Sequence, residues 1–351
     1  MKKQVLFDVT ALLHPKLSGV GMYVKNLANG ISNHPDLDVH HVYKGTRYLR
    51  RKYLKNHFSH SASSFRHFSW RKSGKETIFH GPDFRLICKN NLKTVVTIHD
   101  LAFYEEGLLD PRFAARGREK LEAMLNKQRP DRIITVSGFI KERIEEKFPD
   151  YQGRVHVVYH GMGHIRSSYF ERDKSAAPYI LFVGNIERRK NVIGVIKAFE
   201  IVKREHPDLN LCLVGGRGFD GERVEQYAVK SKFADSIKMM GHVDDQELMN
   251  LYQHASAFVY PSFYEGFGIP IIEAYSCGCP VITSNMGAMK EVAGDAATLV
   301  DPYEIEDVAE KISQLVGDES LREHFKIVGM KRAQSFTWDQ AVTDTVKVYN
   351  S

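Results

Sequence analysis

The chain has 351 residues, more than one hydrophobic core usually spans, so two domains are expected. Its 43% hydrophobic and 26% charged content excludes a disordered chain, and no apolar run is long enough to cross a bilayer. The net charge of +6 hides an asymmetry: the first 160 residues hold 28 Lys and Arg against 16 Asp and Glu, the remainder 21 against 27.

The N-terminus MKKQVLFDVT is basic but carries Asp8 after a short apolar run, which reads as a first strand (4–10) and not a signal peptide. Ser18-Gly19-Val20-Gly21 is a Gly-rich turn opening a helix over 21–31, where Tyr23, Val24, Leu27 and Ile31 fall at helical spacing. A strand at 39–43 leads into a stretch with no acid between Asp38 and Glu76 and ten Lys or Arg from Lys44 to Lys75. Such a patch attracts an anionic partner: nucleic acid, membrane surface or phosphorylated substrate. Further strands are expected at 77–80, 94–99, 132–136 and 155–159, with a helix of mixed charge over 112–128. Three of them end near polar residues, His80, His99-Asp100 and Ser137, where an open parallel sheet binds ligands.

Residues 160–178 lose periodicity and read as a linker. A second alternating set follows: strands at 179–183, 209–214, 237–240, 257–260, 281–284 and 298–300, and helices at 191–205, 221–228, 245–254, 270–276 and 305–316. Two such sets mean two doubly wound α/β domains. A last helix, 337–349, carries Trp338, Val342, Val346 and Tyr349. The cysteines Cys88, Cys212, Cys277 and Cys279 form no metal-ligand spacing; Cys277-Gly-Cys279 is better read as core thiols than as a redox pair. Free thiols without a signal peptide suggest the cytoplasm.

The most informative stretch is residues 261–280, PSFYEGFGIPIIEAYSCGCP. Glu265 and Glu273 bracket a loop in which Gly266 and Gly268 let the backbone approach a ligand, with Phe267 between them. Pro270 suits a helix's first turn, so free N–H groups and a positive helix end meet at one spot fit for phosphate. Two carboxylates beside it would accept hydrogen bonds from sugar and ribose hydroxyls. Gly184-Asn185-Ile186-Glu187-Arg188-Arg189-Lys190-Asn191 ends another strand with consecutive cations, which want an anionic partner such as a diphosphate.

The Glu-x7-Glu spacing, with Gly-Phe-Gly after the first acid, resembles the signature of family-four retaining glycosyltransferases. The resemblance covers nearly the whole chain, most specifically its second half. It implies a GT-B fold: two facing Rossmann-like domains, 1–162 binding acceptor and 163–335 binding nucleotide sugar, with 336–351 as a helix crossing back to the first. It implies that Glu265 contacts the donor sugar, that Glu273 holds the ribose, and that Arg189 and Lys190 hold the diphosphate. Asn185 stands where many relatives have a basic residue. Val214-Gly215-Gly216-Arg217-Gly218 resembles a second glycine loop near the nucleotide, and 240–245 the segment that holds the base, with contacts from the Val243 backbone and Asp245, or else Asp244. His99 matches the family's site histidine; Asp100 is left as an orienting residue; Gly19 and Gly21 match a loop over the donor phosphates or the acceptor cleft. His160-Gly161 replaces a usual Asn-Gly.

The expected reaction is transfer of a hexose, mannose favoured, from a nucleotide diphosphate sugar to a glycan or lipid-linked hydroxyl with retention, with no cofactor and no metal. GDP-mannose is the favoured donor because one carboxylate can accept from both N1–H and the exocyclic amine of guanine; a UDP-sugar is the alternative. A same-face mechanism and a double displacement through Glu265 or Asp100 both stay open. So do an epimerase or hydrolase of the same fold and, remotely, a nucleic-acid binder, although no nucleic-acid motif is present. The aromatics Tyr48, Tyr53, Phe58, Phe65, Phe68 and Trp70 among the cations of 44–75 suggest docking on an anionic membrane from the cytoplasmic side, a solvated basic loop being the plain alternative.

Overall fold

A computed structural model describes residues 2–64, 77–86, 92–162 and 177–351. The chain forms two compact units: Met1–Leu101 with Ala115–Gly161 and Thr337–Ser351, and Ala102–Ala114 with Met162–Phe336.

The first unit holds a seven-stranded parallel sheet built from β1 (Lys3–Asp8), β2 (Leu37–Tyr43), β3 (Ala62–Ser64), β4 (Ile78–Gly81), β5 (Lys93–Ile98), β6 (Arg132–Thr135) and β7 (Val155–Val157). Its order is β3-β2-β1-β4-β5-β6-β7, so the winding reverses between β1 and β4. Phe7 lies beside His80 and Asp8 beside Val42, which sets the carboxyl rim of the sheet. The central strands β1, β4, β5 and β6 are largely apolar runs buried on both faces, as all-parallel pairing requires, while the edges β3 and β7 are more exposed. The helix Gly19–Ser32 starts where the Ser18 side chain accepts from the Gly21 N–H (3.2 Å) and buries Tyr23, Val24, Leu27, Ala28 and Ile31. The mixed-charge helix is regular over Pro111–Ala123 and widens to a π-turn at Met124–Gln128.

The helix Trp338–Asn350 belongs to this unit and lies on Gly19–Ser32, burying Ala341, Val342, Val346 and Tyr349. The contact is backbone-close: a Cβ at Gly30 would come within 2.3 Å of Val342 Cγ2. Tyr349 also reaches a buried polar chain. Its hydroxyl is 2.7 Å from His80 Nδ1, His80 Nε2 is 2.9 Å from Thr97 Oγ1, and Thr97 Oγ1 is 3.2 Å from the Tyr23 hydroxyl. Burial pushes His80 down to about 3, so this chain is neutral.

The second unit holds β8 (Tyr179–Val183), β9 (Asn210–Val214), β10 (Ile237–Gly241), β11 (Ala257–Tyr260), β12 (Val281–Ser284) and β13 (Thr298–Val300). The order β10-β9-β8-β11-β12-β13 is the doubly wound one, with its reversal between β8 and β11. Cys277 and Cys279 are buried free thiols of this core, and burial pushes Cys277 up to about 12. Cys88 and the cations and aromatics of 65–76 lie outside the described residues.

Candidate functional site

The topology predicts where the second unit binds: the crevice beyond the carboxyl ends of β8 and β11. The loops that leave these two strands carry Arg189, Lys190 and Glu265. The loops after β8, β9 and β10 are stitched together: Gly184 N–H donates to Val214 O, Ile186 N–H to Gly216 O, and Gly215 N–H to Gly241 O, each at 2.7–2.8 Å. Gly215 has φ +137°, and a Cβ there would sit 2.0 Å from the Gly184 carbonyl oxygen, so only glycine lets the two loops meet. Asn185 is exposed on this surface. Gly216 lies against His242, where a Cβ would approach Nε2 to 2.5 Å.

Glu265 is buried and fully engaged. Lys190 Nζ (2.8 Å) and the Tyr260 hydroxyl (2.6 Å) donate to its Oε1, and Arg189 Nη1 (2.7 Å) donates to its Oε2. Lys190 also donates to Tyr260. Arg189 is held further by Glu187 Oε1 (2.9 Å) and the Tyr264 carbonyl (2.9 Å). Burial alone would raise the Glu265 carboxyl; the charges of Arg189 and Lys190 and their hydrogen bonds overcome it and hold the group at about 2. The anionic partners that these cations have in this structure are the chain's own Glu265 and Glu187. Each Glu265 oxygen has two lone-pair directions, and Oε2 keeps one for a ligand hydroxyl.

The loop continues through buried Gly266 and Phe267 to Gly268, at φ +110°, which precedes the helix Ile269–Ser276. Phe267 meets Phe336 edge-on at 5.7 Å, so its ring packs inward. Glu273, half-buried one turn into the helix, accepts from the Tyr252 hydroxyl (3.3 Å). Burial raises it to about 7, assisted by the negative Asp245. Asp245 is exposed in the first turn of the helix Asp245–His254, beside half-buried Val243. Asp244, the second choice for a base contact, is occupied as the N-cap and accepts from the Glu247 N–H at 2.8 Å.

Sequence reasoning missed Tyr260, read only as the end of an apolar strand, and Tyr252, Ser262 and Ser284. Ser284 is the last residue of β12 and Ser262 lies just beyond β11; both are fully buried, Ser262 faces the Tyr260 hydroxyl, and among the described residues the Ser284 hydroxyl has no hydrogen-bond partner. A serine directly after the strand-end proline was the available signal for Ser262.

In the first unit, His99 ends β5. Its Nε2 donates to the Pro82 carbonyl (2.8 Å), which fixes the proton on Nε2 and leaves Nδ1 as an acceptor. Tyr23 meets the ring edge-on at 4.7 Å and His160 stacks on it at 5.7 Å. Burial lowers the His99 pKa, keeping it neutral at physiological pH. Gly19 has open space where a Cβ would be, and at Gly21 it would meet Leu17 at 3.1 Å.

Two parallel units of this order, with a strand-end site of paired cations and an acid, define a GT-B enzyme. Residues 17–163 match the family described as Glycosyltransferase Family 4, and residues 168–332 match Glycosyl transferases group 1. The chain belongs to this glycosyltransferase family. O-antigen chain mannosyltransferase B of Escherichia coli is 32% identical over 289 residues, 78% of this chain and 74% of that one. A glycogen synthase of Mycobacterium tuberculosis is 29% identical over 223 residues, 62% of this chain and only 54% of its own length. Among solved structures, sucrose-phosphate synthase from Thermosynechococcus elongatus superposes with TM-score 0.76 at 18% identity, covering 100% of this chain and 98% of that one. WaaG, a glycosyltransferase involved in lipopolysaccharide biosynthesis, gives 0.69 at 15% identity, covering 99% and 100%.

Proposed function

We propose that the protein is a retaining mannosyltransferase that takes mannose from GDP-mannose, without a resident metal, and adds it to a glycan or lipid-linked acceptor hydroxyl. The observation that carries this reading is the Glu265–Arg189–Lys190 cluster at the β8/β11 reversal. The two cations are already oriented and largely desolvated against Glu265 and Glu187, so a diphosphate leaving group would meet fixed donors without reorganisation. Glu265 keeps them in place and offers Oε2 to a sugar hydroxyl; Glu273 serves the ribose; Asp245 accepts from guanine; His99, in the acceptor unit, accepts from a sugar hydroxyl through Nδ1. Similarity to an O-antigen chain mannosyltransferase supports mannose and a surface-polysaccharide acceptor.

No described helix is long and apolar enough to cross a membrane. The helical segment from Gly45 to His57 exposes Tyr48 and Leu49 among Arg50, Arg51, Lys52 and Lys55, and this face would hold the enzyme on the anionic cytoplasmic leaflet.

The test is transfer from GDP-mannose, GDP-glucose and UDP-sugars to a mannose-terminated acceptor, in EDTA, with the anomeric configuration read by NMR. α-Linked product from GDP-mannose alone, undiminished by EDTA, is expected. Preference for UDP, inverted product, or nucleotide release that does not need acceptor would overturn the reading.

A further inference from the structure

The carboxyl rim of the first sheet takes no part in the donor site. Four separate segments meet there. After β1, Thr10 Oγ1 accepts from the Lys44 N–H (3.0 Å), tying the turn after β1 to the end of β2. The His14 carbonyl accepts from His57 Nε2 (3.0 Å), tying the same turn to the helical segment that carries Arg47 and Arg50. After β4 the chain doubles back so tightly that a Cβ on Gly81 would lie 1.7 Å from the Arg85 carbonyl oxygen, and Phe84 takes φ +29°. That strained turn fixes half-buried Arg85, whose guanidinium pairs with Asp83 at 3.0 Å. From the helix Pro111–Ala123, Lys120 Nζ lies 4.2 Å over the Phe84 ring.

Five cations, Lys44, Arg47, Arg50, Arg85 and Lys120, thus converge from three of these segments on the β1/β4 reversal. The acids of this rim are Asp8, Asp83 and Asp100. Asp8 is buried and accepts from the Thr10 N–H (2.8 Å) and hydroxyl, and Asp83 is matched to Arg85. Nearby groups register this charge: Lys120 is lowered by burial, with Arg85 and Lys44 adding to it against Asp83, and His14 by partial desolvation and then by Arg50, Arg47 and Arg85. Like charges gathered at the ligand end of a parallel sheet repel unless an anion joins them.

We infer that this rim is a binding site for a phosphate or diphosphate ester on the acceptor, held by Arg85 and Lys120 with Lys44 and Arg47. The inference rests on the proposed acceptor role of this unit and names the group the acceptor carries. It shares Lys44 and Arg47 with the basic stretch 44–75, and Arg85 and Lys120, which lie outside that stretch, distinguish it from the membrane face.

Calorimetry with inorganic pyrophosphate tests it on the full chain. Wild type is expected to bind two equivalents, one in each unit. Arg189→Ala removes the second-unit equivalent; if it does not, the donor reading fails and this inference stands. Arg85→Ala and Lys120→Ala are each expected to weaken the other equivalent by about tenfold. Lys120 is exposed, so its variant stays informative if Arg85→Ala fails to fold. Sedimentation with phosphatidylglycerol vesicles should be unchanged in Lys120→Ala. A single wild-type equivalent that Arg189→Ala abolishes, an unaltered first-unit equivalent in Lys120→Ala, or a loss confined to vesicle binding would overturn the site, the last in favour of a lipid-headgroup surface.

Discussion

The two sheets share a winding order but treat charge at their reversal points in opposite ways. In the second unit, Arg189 and Lys190 are buried against Glu265, Glu187 and Tyr260, each with a partner within 3 Å. In the first, the five rim cations stand half-buried or exposed, and among the described residues only Arg85 of the five has an acid, at 3.0 Å. A site that must stabilise charge as a bond breaks gains from cations fixed in advance. A site that only recognises a charged group can leave them hydrated until the ligand arrives. Substitutions should therefore cost fold and chemistry together in the second unit, and affinity alone in the first.

The sharpest break in that contrast is Glu265→Gln. It leaves two buried cations short of a charge, and the loss should be about 3–5 kcal/mol in urea unfolding, with transfer lowered by roughly 10³-fold in single-turnover assays. Lys120→Ala in the other rim should stay within about 0.5 kcal/mol of wild type. Next, Lys190→Ala should lower transfer by about 10²–10³-fold. It should also lower stability by about 1–3 kcal/mol, because Tyr260 and Glu265 lose a buried donor. A normal melting temperature would mean that the buried pairing adds nothing.

The pH dependence separates the two acids. Glu265, held at about 2 and below its ordinary 4.5, contributes stability above pH 4.5 that is lost as pH falls toward 2. Glu273, raised to about 7, works the other way: the folded state keeps a proton the unfolded chain has shed, so stability falls as pH rises from 4.5 to 7. Glu273→Gln should flatten that upper limb by about 1–3 kcal/mol. If Glu273 holds ribose as a carboxylate, GDP affinity in wild type should also rise between pH 6 and 8. Smaller still, Tyr349→Phe should cost about 1–2 kcal/mol by leaving His80 Nδ1 unsatisfied, read by thermal unfolding. The smallest effect is Gly19→Ala, where space is open and the helix is just beginning; stability should hold within about 0.5 kcal/mol, while transfer falls if that turn closes over phosphate.

Legibility followed physical cause. Strands at 179–183, 257–260, 281–284 and 298–300 were readable to the residue, because apolar runs of parallel strands end abruptly at Gly, Pro or Ser. Ala62–Ser64 was not, since a three-residue edge strand of Ala and Ser has no apolar signal. The helices Gly138–Lys147, Gly287–Ala293 and Glu319–Ala333 were passed over as well, the first and third because charge dilutes their buried faces. Arg189, Lys190, Glu265 and Glu273 stood out through spacing. Their mutual pairing did not, because it depends on two loops 75 residues apart meeting at a reversal that only strand order reveals.

The C-terminal helix sets the order in which the protein can be completed. Residues 337–351 are made after the whole second unit, yet they cover Val24 and Ile31, seat Val342 on Gly30 and supply the hydroxyl facing His80. During synthesis, then, the unit that emerges first from the ribosome must wait with an apolar face and a buried histidine uncovered, while the unit that emerges second already has every strand of its own sheet. The first unit is begun first and finished last, and a chaperone meeting this nascent chain would find its exposed surface on the first unit.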